Sequence, residues 1–411
     1  MDDDRKSTRS LPLQALSKAG HVIGEYRGPV ALVVVFLLGV LFGGQNAQGQ
    51  RIFLTTRTHT DILFEYAEYG ILAAGMTLVI LTAGIDLSVG SVLGLSSVVF
   101  SLLVLGYGMP PLLACLVAAC VGALCGAVNG LLISRARFQP FVATLAMMVV
   151  ARGLAKQVAG HQKIQPGLEA WYRVQSMRDM PSFYTWMTSK LAGTGPPPAL
   201  WAVPVVVVVA ALLLMYTARG RRVAEALGAP RTLLYVVGTL LGVGTLGWLL
   251  SPHLQPASYL FLISTALMAL IVKYTRFGRH LYAIGGNEEA ARLSGVPVGL
   301  SKVFAYVICG MLSGLAGVSS ACRLQLGNPE AGATYELDAI ASVVIGGTSL
   351  MGGRGGVILT LIGALIMGCA NKILSNIQIN GEYLQDGAKL LAKGFIIVLA
   401  VIVQESRRKR A

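Results

Sequence analysis

Polar residues with the spacing of helix start and stop signals fill the stretch 278–300, which lies between two long apolar runs. Asn287 can cap a helix start, Glu288 and Glu289 place negative charge at its positive end, Arg292 sits near its negative end, Gly295 can close it, and Pro297 prevents its continuation. Glu288 and Arg292 also stand four residues apart, the spacing of a helical ion pair. A helix of about two turns over 287–294 is too short to persist in water alone. It is therefore expected to lie against a second surface: a separate ATPase subunit in the favoured reading, the chain's own bundle in the alternative.

Covalent chemistry is not legible. The sequence contains no phosphate-binding GxxxxGK[ST] loop, no HExxH pair and no serine-hydrolase elbow, so no catalytic residue, cofactor or ATP hydrolysis by that route is expected. Cys115, Cys120, Cys125, Cys309, Cys322 and Cys369 all fall in apolar runs without CxxC spacing. They read as small hydrophobes, not as a disulfide frame or a metal site.

A second group of polar residues lies within or beside apolar runs. Asp86, after Gly84 and Ile85, reads as an N-cap assisted by Ser88, or as a hinge or gate; Asp338 would be its counterpart at the other end of the molecule. Asn129 and Asn371 can hydrogen-bond a neighbouring helix or the hydroxyl of a solute. Arg152 and Lys393 stand deep in their runs, where a bare charge costs several kcal/mol or more, so each should face the interior and have a partner. Trp171, Tyr172, Tyr184 and Trp186 read as an interfacial belt.

The elements that must carry these residues are membrane helices. Of 411 residues, 55% are apolar and 13% charged, about half the charged share of an ordinary soluble domain, which excludes a soluble enzyme and a disordered chain. The formal charge of +14 comes from basic clusters between apolar runs, so the partner is lipid and not nucleic acid. About twelve runs approach the roughly 20 residues a span needs: 28–43, 65–84, 87–106, 111–133, 140–158, 199–217, 231–250, 257–274, 303–322, 337–351, 355–375 and 384–403. The run 337–351 is the weakest; Gly346, Gly347, Gly352 and Gly353 interrupt it, as in a broken helix packed inside a bundle. With the N-terminal tail in the cytosol, almost every basic cluster lands inside, including Arg135 and Arg137, Arg354, and Arg407 to Arg410.

The two halves echo each other. Gly122, Ala123, Gly126 and Asn129 recur as Gly363, Ala364, Gly368 and Asn371, Ala151-Arg152-Gly153 recurs as Ala392-Lys393-Gly394, and the Asp86 to Ser91 turn has a looser echo in Asp338 to Ser342. Four spans (65–158) pair with four (303–403), and three intervening spans invert the second set. The expected fold is an all-α polytopic bundle of about 10–12 spans with an inverted four-helix repeat, an arrangement suited to a transport path.

Residues 282–295, from Tyr282 through Asn287, Glu288, Glu289, Ala290, Ala291, Arg292, Leu293 and Ser294 to Gly295, resemble the coupling loop of sugar ABC-importer permeases of the ribose/xylose type. The stretches 83–91, 336–341 and 345–353 agree, and the similarity covers most of 65–403, with D-xylose permeases the most similar. The resemblance implies a multi-pass permease of the bacterial inner membrane that dimerises, docks cytosolic ATP-binding subunits on residues 287–295, and accepts a monosaccharide from an extracytoplasmic binding protein. Its parts would be a cytosolic tail (1–27), a permease domain (28–403, coupling loop 278–300) and a cytosolic basic tail (404–411). Asp86, Ser88, Asn129, Asp338, Asn371 and Lys393 are the candidates for the path or gate. The alternatives are a permease for ribose, galactose or a branched-chain amino acid, and an ion-coupled transporter.

Overall fold

The computed structural model describes residues 27–45, 51–166, 182–188, 254–379 and 382–408. Three long helices begin with proline in their first turn, where its missing N–H costs nothing: α5 (Pro111–Ser134), α6 (Pro140–Val158) and α8 (Pro256–Tyr274). They join α1 (Arg27–Phe42), α2 (Thr56–Glu65), α3 (Ala67–Leu81), α4 (Val89–Ser101, continued by a π turn to Gly106) and the short α7 (Ser182–Thr188). Beyond α8 come α9 (Arg276–Gly286), α10 (Glu288–Leu293), α11 (Val298–Leu324), α12 (Tyr335–Gly346), α13 (Val357–Asn376) and α14 (Asp386–Arg408). A two-residue antiparallel hairpin, Gln378–Ile379 with Glu382–Tyr383, joins the last two helices.

Six of these helices are long and apolar enough to cross a membrane, and α2 with α3, bent by 54°, makes a seventh. α1, at 16 residues, is apolar but shorter, and α12, at 12, is shorter still. The expected runs 199–217 and 231–250 lie outside the described residues.

The broken segment occupies the weakest expected run. Gln325 (φ 55°) ends α11, and an irregular stretch then runs back along α4, with Gly327 against Ser101, Ala331 against Gly94 and Gly332 against Gly90. Thr334 (φ 69°) turns the chain into α12, which stops at Gly347 (φ 111°). Twelve helical residues reach about 18 Å, short of the roughly 30 Å hydrocarbon core. Non-helical backbone at that depth is tolerated because it is packed in protein.

The inversion is visible in directions and contacts. α3 ends beside the α9 end of the bundle, where Gly353 donates to the Leu81 carbonyl (3.0 Å), whereas α11 starts there. α5 packs on α11 and α13 on α3; α6 packs on α4 and α14 on α12. The two four-helix sets thus exchange corresponding helices, and Thr77 on α3 meets Thr360 on α13 at 2.7 Å. The second set begins at Val298, five residues before the expected 303. The core runs through α3, α4 and α11, while α1, α5, α6 and α14 turn residues such as Leu41, Leu116, Val150 and Phe395 outward, as lipid-facing helices do.

Candidate functional site

The capped helix forms as its residues dictate. The Asn287 side chain accepts from Ala290 N (3.0 Å), and at the other end Val296 N and Gly295 N donate to the Ala291 and Arg292 carbonyls, both 3.0 Å, with Gly295 at φ 81°. That is a complete Schellman closure. Ala291 is buried among Ile284, Val296 and Val298, and Glu288 accepts from Lys302 of α11 (2.7 Å) and lies 3.4 Å from Arg292. Asn287, Glu289, Ala290, Arg292, Leu293, Ser294 and Gly295 are exposed, Leu293 to 82%. The helix is thus fixed to its own bundle by one face and free on the other.

The spacing did not disclose the helix before it. α9 spans Arg276–Gly286, capped by the Thr275 hydroxyl, which accepts from Gly278 N (3.1 Å); it buries Gly278, Leu281 and Ile284. Its amphipathic stripe is short and carries three glycines, which mask it in sequence. Tyr282 donates to the Gly355 carbonyl (2.8 Å), and partial burial raises its phenol above the ordinary value. Gly285 lies against Leu81, Gly352 and Gly353 so closely that a methyl group there would collide with backbone. α9 therefore bears at once on the end of α3 and on the loop between α12 and α13. Arg135, Arg137, Arg276, Arg279, Arg292 and Arg354 are exposed on this end.

Asp86 is buried, but it is not the N-cap of α4: the helix starts at Val89 behind Ser88, and no side chain caps it. Asp86 instead closes a turn, its carboxylate accepting from Ser88 N (2.9 Å) and the Ser88 hydroxyl (2.6 Å), while Asn129 Nδ2 donates to that hydroxyl at 3.0 Å. Asp86, Ser88 and Asn129 are thus brought together. Asn371, the counterpart of Asn129 in the repeat, is half-buried on α13 and does not share that setting. Asp338, in the first turn of α12, faces Lys393 of α14 at 3.8 Å, so the lysine has its expected partner. Tyr184 departs from the expected belt: it is buried, bonded to the Ser101 hydroxyl (3.0 Å) and packed on Phe100, whereas Trp186 is half exposed. Trp171 and Tyr172 lie outside the described residues.

Three features escaped sequence reasoning. Glu68, fully buried on α3, accepts from Arg323 Nε of α11 at 2.7 Å, and Tyr66, Tyr69 and Tyr335 stack beside the pair with centroids 4.8 and 4.1 Å apart. Opposite charges at the ends of two apolar runs were the available signal. Arg152 finds no carboxylate partner but backbone ones, donating to the Pro329 and Ala331 carbonyls of the irregular stretch. It also lines a cleft of about 440 Å³ with Ser91, Val149, Gly153, Lys156 and Glu336. Among the described residues no cluster of ligands suits a metal ion.

Residues 59–403 match the family described as branched-chain amino acid transport system / permease component, and the chain belongs to that family. It is 34% identical to the ribose import permease protein of Escherichia coli (strain K12) over 356 residues, covering 87% of this chain and 88% of that protein. It is also 34% identical to the ribose import permease protein of Bacillus subtilis (strain 168) over 395 residues, covering 96% and 98%. The xylose transport system permease protein of Escherichia coli (strain K12) shares 34% over 371 residues, 87% of each chain. No solved structure matches.

Proposed function

We propose that this chain is the membrane-spanning permease subunit of an ATP-driven monosaccharide importer, working as a homodimer with a pentose, D-xylose or D-ribose, as its solute. The names of the relatives support a sugar, and their equal identities favour neither pentose. The observation that carries the coupling reading is α10: a two-turn rod, capped at both ends and pinned by Glu288 to Lys302, that leaves Glu289, Arg292 and Leu293 facing outward. Such an exposed apolar residue framed by charges suits a partner surface. The basic residues exposed at the same end support a cytosolic location for it by the positive-inside tendency, with the first helix starting and the last helix ending there. An ATPase subunit would bear on α9 and α10, and an extracytoplasmic binding protein would deliver sugar at the opposite end.

The test is uptake by the complete complex in proteoliposomes. A Glu289→Lys, Leu293→Asp variant should keep its expression and fold, lose the bound ATPase subunit and lose uptake. Unchanged uptake and co-purification would refute docking on α10. Accumulation of leucine in place of either pentose would favour the amino-acid alternative. Uptake abolished by an uncoupler while ATP is held constant would favour ion coupling.

A further inference from the structure

Arg152 and Glu336 are both half-buried beside one open cleft, and neither forms an ion pair within 4 Å among the described residues. The neighbouring charges do: Lys156 binds Glu330 at 2.7 Å and Lys393 lies 3.8 Å from Asp338. Arg152 uses Nη1 on the Pro329 and Ala331 carbonyls, and among the described residues no side chain accepts from its Nε or Nη2. The Glu336 carboxylate lies against Gly90, where a side chain would displace it, and no other side chain hydrogen-bonds it among the described residues. A guanidinium with free donors and a carboxylate with free acceptors therefore border one cleft. Half-buried groups of that kind are satisfied by water or by a polar solute.

The remaining wall fits the same purpose. The cleft holds about 440 Å³, within the range of small-molecule sites, and it combines Ser91 and Thr334 with the apolar surfaces of Met148, Val149 and Ala333. Lys156 also borders a second cleft of about 220 Å³ lined by His161, Lys163, Asn328 and Glu330, at the end of the bundle away from α10. The two clefts meet at Lys156.

Resting on the sugar-importer reading above, we infer that the cleft between α6 and residues 329–336 is a monosaccharide-binding station, in which Glu336 accepts hydrogen bonds from sugar hydroxyls while Arg152 and Ser91 donate to them. The apolar strip covers the C–H face of the ring. The polar groups are few and face a neutral polyol, so the sugar is oriented as it passes and is not held tightly.

Gly153 supplies the decisive variant, because a side chain built there meets nothing within 4 Å and points into open space. Alanine there adds helix propensity, and its methyl group meets no neighbour. In proteoliposomes holding the complete complex, Gly153→Ala, Gly153→Leu and Gly153→Trp should lower D-ribose and D-xylose uptake in order of size, by at least tenfold for Trp. ATPase activity stimulated by the binding protein should persist. Glu336→Gln, which keeps the shape, should reduce uptake several-fold and change the ratio of ribose to xylose transported, a readout a purely structural role would leave alone. If the wild type accumulates either pentose and these variants match it in rate and ratio, the station is wrong while the importer reading stands. If the wild type accumulates neither pentose, the importer reading falls, and the sugar station with it.

Discussion

Gly122 of α5 and Gly310 of α11 lie backbone against backbone, each so near the other's carbonyl oxygen that a methyl group on either would overlap it. The contact sits in the tightest helix pair of the bundle, where Gly126 and Gly314 face Tyr306 and Ala118 in the same manner. With lipid outside, no hydrophobic gain draws two such helices together, and close van der Waals packing must do it.

Gly122→Val should therefore separate α5 from α11. Overpacking of this kind costs about 1–3 kcal/mol, seen as a lowered melting temperature of the detergent-solubilised chain. Gly153→Ala on the neighbouring α6 should leave that temperature unchanged or raise it.

The buried pair of Glu68 and Arg323 predicts an asymmetric outcome. Glu68→Gln leaves Arg323 without its charge partner and should destabilise the fold by about 3 kcal/mol, as when one member of a buried pair is removed. The double replacement Glu68→Gln, Arg323→Met should recover part of that loss, which a double-mutant cycle of thermal unfolding would measure.

Lys302→Met removes the tie from α11 to Glu288. The caps within α10 remain, so the helix should persist but loosen on the bundle, with amide exchange over 288–294 faster by several-fold while exchange in α11 stays unchanged. Equal exchange in the variant and wild type would mean that Ala291, Ile284 and Val298 hold the rod without it.

Acidification tests the Lys156–Glu330 contact. The lysine hydrogen bond, opposed by slight burial, holds the Glu330 carboxyl below its ordinary value of 4.5. A depressed carboxyl pKa stabilises the fold fully above the unfolded value, and the gain is lost as pH falls through the lower folded value. Because the pair is largely exposed, the gain is at most about 1 kcal/mol. Wild type and Glu330→Gln should differ slightly in melting temperature at pH 6, begin to converge near the ordinary glutamate pKa and meet only once the pH is below the depressed folded value.

Local signals carried much of the reading. Asn287, Gly295 and Pro297 specify α10 because caps act over a few residues, and apolar run length announces the spans because lipid imposes it. The repeat could be read at Gly122 and Gly363 because both lie where helices approach closely. Asp86 misled because an Asp before a helix can close a turn two residues ahead as readily as cap the helix, and only the position of Ser88 decides. The path of 325–334 and the setting of Arg152 were hidden for a different reason. They depend on α4, α6 and the start of α12 meeting across a separation of about 180 residues, and no local pattern encodes that meeting.

The glycine junction of Gly285 with Leu81, Gly352 and Gly353 sets how force can travel. Backbones in mutual contact have no side chains to yield, so this junction acts as a fulcrum and not as a cushion. A push on α9 cannot tilt one four-helix set and spare the other: it reaches the tail of α3 and the α12–α13 bend in the same instant. A force applied to α9 would therefore be felt by both halves together.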